Sequence, residues 1–332
     1  MLSRVADSIY WMNRYIERAE NVARFIDVNL HLNLDLPAGS AEQWSPLVSI
    51  TGDDEAFAKR HAVATRENVI EFLTFDAENP NSIRSCLRAA RENGRSVREI
   101  ISSEMWEQVN RFYLMVNSSA ALERAIDSPS EFYNDIKMAS HLYGGLAFTT
   151  MSHNEAWHFG RLARLMERAD KASRILDVKY FILLPSVSDV GTPFDTIQWS
   201  AVLRSASAFE MYRKRFGRIA PRRVVEFLLL DAEFPRAVRY CLDKAEASLH
   251  VISGTPVGRY RYVPEQRLGQ LCSELSFAAI DPIMECGLHE FVDDLQVKLN
   301  LVGEGIRETF FAQRPVATEV TDGYSRSAQS QH

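Results

Sequence analysis

The chain has 332 residues, and its 38 Lys and Arg against 44 Asp and Glu give a net charge of -6 with no basic block, which argues against a reader of nucleic-acid backbones. No uncharged apolar run approaches the ~18 residues that cross a bilayer. The opening MLSRVADSIYWMNRY has neither an uninterrupted apolar h-region nor a small-residue cleavage site, so a soluble, cytoplasmic protein is expected, with neither membrane nor nucleic acid among its partners.

Apolar spacing is helical almost throughout. Ile9, Met12, Ile16, Ala19, Ala23 and Ile26 step by three and four and predict a first long helix. After a break at Pro37-Ala38-Gly39, the spacing predicts helices over 55–77, 80–102, 104–126 and 130–149. Phe159, Leu162, Met166, Ala169 and Ile175 predict a second long helix, followed by a break over 185–193. Helices over 197–216, 221–232, 235–252, 264–280 and 286–312 follow, interrupted by the loop 253–264. Tyr260-Arg261-Tyr262-Val263 is a short, ambiguous strand-like stretch. The expected fold is all-α, a helical bundle over 1–313, and the polar composition of 314–332 predicts a disordered tail.

The chain also repeats itself. Residues 14–28 match 164–178 at seven of fifteen positions, and 69–87 match 224–242 at eleven of nineteen. Between them Gln43-Trp44-Ser45 answers Gln198-Trp199-Ser200, so the offset changes from 150 to 155 by a five-residue insertion. Two pseudo-symmetric halves, 1–150 and 151–313, are predicted. Cys86 and Cys241 occupy matching positions in apolar stretches, while Cys272 and Cys286 stand apart without CxxC spacing. All four read as small core residues, with a redox pair or metal ligands as the lesser alternative.

The repeated segment carries charge. Glu17, Glu20, Arg24 and Asp27 fall at i, i+3, i+7 and i+10 and share one helix face, with Arg14 and Arg18 beside it. Arg164, Glu167, Arg168, Asp170, Arg174 and Asp177 repeat the pattern. If the two helices meet, their Glu and Arg side chains form either a register-fixing clamp of bidentate pairs or an anion receptor for a phosphate or peptide carboxylate. In the second case Glu17 and Glu167 are candidate acid and base groups. Asp76 with Glu78, and Asp231 with Glu233, precede Pro80 and Pro235. Both prolines suit the first turn of a following helix, whose dipole favours the carboxylates, and a shared acidic cleft is the alternative.

Glu155 and His158 have the Glu-x-x-His spacing of helical carboxylate metal proteins. The position matching His158 is Ser8, so a second such pair is missing, and the metal reading is weak. No phosphate-binding loop, HExxH, GxSxG or GxGxxG signature is present, and no cofactor is expected.

The opening segment through Arg24, with Met166-Glu167-Arg168-Ala169-Asp170, resembles the bacterial Alpha-E family of all-helical proteins with a recurrent Glu-Arg motif. The likeness spans roughly residues 1–313. It implies company more than chemistry, because family members are encoded beside a circularly permuted ATP-grasp protein and a transglutaminase-like peptidase. The expected function is then an accessory or binding component of an ATP-grasp-linked system for synthesis or modification of peptides or amide bonds. Its duplicated face would hold a peptide, an acyl phosphate or the partner. A stand-alone enzyme of amide-bond formation with a Glu general base is the alternative, and a helical metal-carboxylate protein the third.

Overall fold

A computed structural model describes residues 1–34, 43–181 and 193–312. Helix α1 (Ser3–Leu34) is followed by α2 (Ser45–Thr51), α3 (Asp54–Ala58), α4 (Arg66–Thr74), α5 (Ile83–Ser96), α6 (Ser103–Val116), α7 (Ala121–Asp127) and α8 (Pro129–Thr150). Helix α9 (Glu155–Phe181) precedes α10 (Pro193–Ser205), α11 (Phe209–Phe216), α12 (Pro221–Leu230), α13 (Val238–Ser253), α14 (Val263–Phe277), α15 (Ile280–Cys286) and α16 (Leu288–Ile306). A π-helical turn, Arg307–Phe311, closes the described chain. The all-α expectation holds: no strand occurs among the described residues, and Arg261 and Tyr262 form a bend, with Tyr262 the cap of α14. The predicted break at Pro37-Ala38-Gly39, residues 185–192 of the second break and the predicted tail lie outside the described residues.

Several predicted helices are divided, each where a local competitor for the backbone wins. The 55–77 helix splits because the Thr65 hydroxyl accepts the Asn68 N–H and starts α4 afresh. The 104–126 helix ends at Val116, and the one over 197–216 is cut at Ser207, which adopts a left-handed φ of 50°. Pro80 and Pro235 are not first-turn residues. Each lies in a turn ahead of its helix, which begins at Ile83 or Val238. In the first case the Ser82 hydroxyl supplies the cap, accepting the Ser85 N–H at 3.1 Å.

The helical spacing of α1 buries Ile9, Met12, Ile16, Ala19, Ala23 and Ile26, none more than 2% exposed. This helix packs against α5, α8 and α9, while α9 packs against α13 and α16. Helices α1 and α9 run side by side in the same direction, as Asn13 meets Gly160 and Glu17 meets Arg168. Ala19 and Ala23 on α1 and Ala163, Ala169 and Ala172 on α9 are buried. Sequence-matched Asp27 and Asp177 reach outward alike, to Lys137 on α8 and His289 on α16, both at 2.6 Å.

Gly160 marks the tightest approach. A Cβ there would stand 2.8 Å from the Asn13 amide nitrogen. That amide cannot step aside freely, because it donates to the Ile9 carbonyl at 2.8 Å while its oxygen accepts from Tyr143 at 3.1 Å. Gly160→Ala is therefore expected to destabilise the fold by about 1–3 kcal/mol in urea denaturation, despite the better helix propensity of alanine. A neutral or stabilising outcome would show that the helices are free to separate here.

A buried arginine-glutamate clamp and its flanking clefts

The two Glu-Arg segments meet, and each glutamate is gripped by the other segment's arginine. Arg168 donates Nε to Glu17 Oε1 at 2.7 Å and Nη2 to Oε2 at 2.9 Å. Reciprocally, Arg18 donates Nε to Glu167 Oε1 at 2.8 Å and Nη2 to Oε2 at 3.1 Å. Both are fork-on-fork pairs, the strongest and most directional form of this contact. Arg14 adds a third bond to Glu167, Nε to Oε2 at 2.6 Å, and Lys171 lies 3.9 Å from it. Glu167 is wholly buried and Glu17 is 3% exposed.

The surroundings of the two glutamates differ. Arg18 spends its remaining arm on Asn81 Oδ1 at 2.6 Å, and Asn81 in turn donates to Asp53 at 2.7 Å. At the sequence-matched position stands Arg236, which donates to Glu20 at 3.0 Å and Asn21 at 3.2 Å and lies 3.8 Å from Glu17. Arg24 pairs with the same Glu20 oxygen from the preceding turn. Arg164, the match of Arg14, makes no ion pair with Glu17. It lies against α8, where a Cβ on Gly144 would be 3.1 Å from its guanidinium. Asp170, the match of Glu20, is held by Lys171 at 3.2 Å and Arg174 at 3.0 Å.

These contacts set the protonation states. Burial pushes the Glu17 carboxyl up, but Arg168, Arg236 and Arg164 outweigh it and bring it down to about 2. Against the same burial, Arg18, Arg14 and Lys171 hold Glu167 below the ordinary carboxylate range. Neither glutamate is poised to exchange a proton near neutral pH, where a general base works best with a pKa near 7. The cations divide into two groups. Glu167 overcomes the effect of burial on Arg14 and Arg18 and holds both above their usual value. Burial with too few carboxylates lowers Arg24 to about 9 and Arg236 to about 10, each pushed further by a neighbouring guanidinium. Burial, with Arg24 and Arg236 near, also lowers His141 to about 4, so its 3.7 Å approach to Glu20 is not a charge pair at neutral pH.

Other sequence candidates lie elsewhere. Asp76 forms a turn that accepts the Glu78 N–H at 2.8 Å and pairs with Arg60. Asp231 likewise accepts from Glu233 at 2.9 Å and pairs with Arg215. These four carboxylates shape the two proline loops and do not join the clamp. The loops reach it instead through Asn81, Arg236 and the Pro235 carbonyl, which accepts from Arg168 at 3.3 Å. Cys86 and Cys241 sit under the same loops, where burial raises both thiols to about 12 and keeps them protonated. Glu155 accepts from the amino terminus at 2.9 Å, and His158 packs edge-on against Trp157. Among the described residues no three His, Cys, Asp or Glu side chains gather to hold a metal ion, and no helix is long and apolar enough to cross a membrane.

A cleft of about 410 Å³ opens beside Glu167, between α1, α9 and α16. Its wall carries Arg14, Arg18, Lys171, Arg174 and Arg307 against Asp170 and Glu304, five cations to two carboxylates. With Glu167 behind the wall and Glu308 3.9 Å from Arg307, an excess of one positive charge remains. Tyr10, Trp11 and Phe311 supply its aromatic surface.

Residues 1–311 match the model of a family described as a predicted alpha-helical domain with a conserved ER motif. The chain belongs to the Alpha-E family. Glu17-Arg18 and Glu167-Arg168 are both Glu-Arg dipeptides, and both lie in the clamp. This Alpha-E chain is similar to uncharacterised proteins of Mycobacterium bovis and Mycobacterium tuberculosis, each 24% identical over 277 residues. The match covers 76% of this chain and spans 30% of the length of those relatives. No solved structure matches.

Removing one partner of a buried pair leaves the others uncompensated, so Glu167→Gln is expected to cost about 3–5 kcal/mol in urea denaturation. The lowered folded-state pKa of Glu17 adds a pH dependence. Its contribution is fully present above its ordinary value of 4.5 and is lost as pH falls toward about 2. Urea midpoints measured between these limits should fall steeply in the wild type and less steeply in Glu17→Gln. Parallel slopes would mean that Glu17 is not ionised in the clamp.

Proposed function

We propose that this chain is a binding component, working with an ATP-grasp ligase, that holds an anionic group in the cleft beside Glu167. The group is a phosphate or carboxylate carried by a peptide, an acyl phosphate or the partner itself. The observation that carries this reading is the surplus of cations on the cleft wall. Five positive side chains line a concave surface with two carboxylates, and a cleft lined mainly by one sign of charge focuses the field and raises the local concentration of anions. Planar guanidinium groups suit oxyanions in particular, since each can donate two parallel hydrogen bonds.

The clamp glutamates contribute as scaffold. They spend their oxygens on arginines and orient Arg14 and Arg18 at the cleft, which favours binding over base catalysis by Glu17 or Glu167. The ATP-grasp partnership rests on the family resemblance, and the positive cleft gives such a partner's phosphorylated product a place to dock.

Arg307 is exposed, so its replacement leaves the clamp intact. Inorganic phosphate should bind the wild type in calorimetric titration, and Arg307→Gln combined with Arg174→Gln should weaken it about tenfold. An ATP-grasp protein should co-purify with tagged wild type from the native host and be lost with the same double variant. Unchanged phosphate binding in that variant would remove the cleft from this account.

A further inference from the structure

A second cleft, of about 530 Å³, lies farther along α1, toward its C-terminal end, where α8, α10 and the start of α11 close around it. Its floor is apolar, formed by Val28, Leu32, Ile197, Ala201 and Phe209. Two buried polar side chains of α1 also line it, Arg24 at 7% and Asp27 at 8% exposure. They are three residues apart and therefore stand one above the other on the same face. Each is half satisfied. Arg24 pairs through Nη2 with Glu20, but its Nε has no acceptor. Asp27 accepts from Lys137 through Oδ2, while its Oδ1 has no hydrogen-bond donor and lies 3.6 Å from His31 Nδ1, which also lines the cleft.

A buried donor and a buried acceptor left open side by side are expensive, and native structures leave few such groups. The rim repeats the pairing, with exposed Arg204 on α10 and exposed Glu210 on α11. Ser207, at the same rim, holds a left-handed φ of 50°, a conformation that non-glycine residues rarely adopt. The cleft thus presents positive and negative groups together, at two depths, above an apolar floor.

We propose that this cleft binds a free α-amino acid with an apolar side chain. Its carboxylate meets Arg24 and Arg204, its ammonium meets Asp27 and Glu210, and its side chain rests on the apolar floor. A simple oxyanion fits less well, because it would satisfy Arg24 and leave Asp27 open beside a like charge. The site is separate from the phosphate-binding cleft and does not depend on it.

The test is calorimetric titration of the full chain with L-leucine and L-phenylalanine, using N-acetyl-L-leucine and L-leucinamide as controls that remove the ammonium and the carboxylate charge respectively. One-to-one saturable binding is expected, with each control about tenfold or more weaker than L-leucine. Arg204→Gln, a surface change that leaves the core untouched, should weaken L-leucine by a similar factor, and Arg307→Gln at the other cleft should not. The proposal is overturned if neither amino acid binds at about 10 mM, a concentration that would saturate even a millimolar site. Equal binding of the controls or indifference to Arg204→Gln would also overturn it. Inorganic phosphate that binds in an Arg204-dependent manner while L-leucine does not would replace it with a plain anion site.

Discussion

The rest of this molecule is arranged around two buried carboxylates and the arginines that grip them. Helices α1 and α9 share a surface on which Gly160 lies directly against Asn13. Two reciprocal guanidinium-carboxylate forks interrupt that surface and permit one alignment, with Glu17 opposite Arg168 and Glu167 opposite Arg18. An apolar pair of similar volume often stabilises a core as well as a buried ion pair does. What the forks add is direction, since a shift of one helical turn in either direction would leave one of the two carboxylates without an arginine opposite it.

The forks also determine where charge is left over. Beside Glu167 the carboxylates keep their arginines comfortable, and the surplus appears on the open wall of the cleft under α16. Around Glu17 and Glu20 the surplus is internal: Arg24 and Arg236 share one carboxylate oxygen, and both lose basicity. The same motif therefore gives a positive cleft wall on one side and an incompletely satisfied interior on the other.

Much of this was legible in the sequence. The spacing of Ile9, Met12, Ile16, Ala19, Ala23 and Ile26 marks the buried stripe of α1, and repetition of glutamate and arginine along one face announces a polar contact between long helices. Asn81 and Arg236 escaped because they belong to loops, where no period marks a residue as inward-facing. Their signal was weaker but present: each follows the proline of a matched Asp-Ala-Glu-x-Pro segment, at the point where the copies differ in charge. The acidic residues of that segment drew attention for their charge, yet they serve the turn that delivers Asn81 or Arg236. Helix breaks at Thr65 and Ser207 were hidden for a related reason, since capping hydroxyls and a left-handed residue act locally and leave the apolar pattern running through them. The two clefts are made by α8, α10 and α16 folding back onto α1 and α9, which no local pattern records.

Asn81 and Arg236 carry one further implication. A pair of matched loops that closed on the clamp with the same residue would make its two ends interchangeable. With a neutral amide at one end and a guanidinium at the other, the clamp has a polarity, much as a battery holder does. An elongated molecule laid along this surface would meet different potentials at its two termini, and only one orientation would match them.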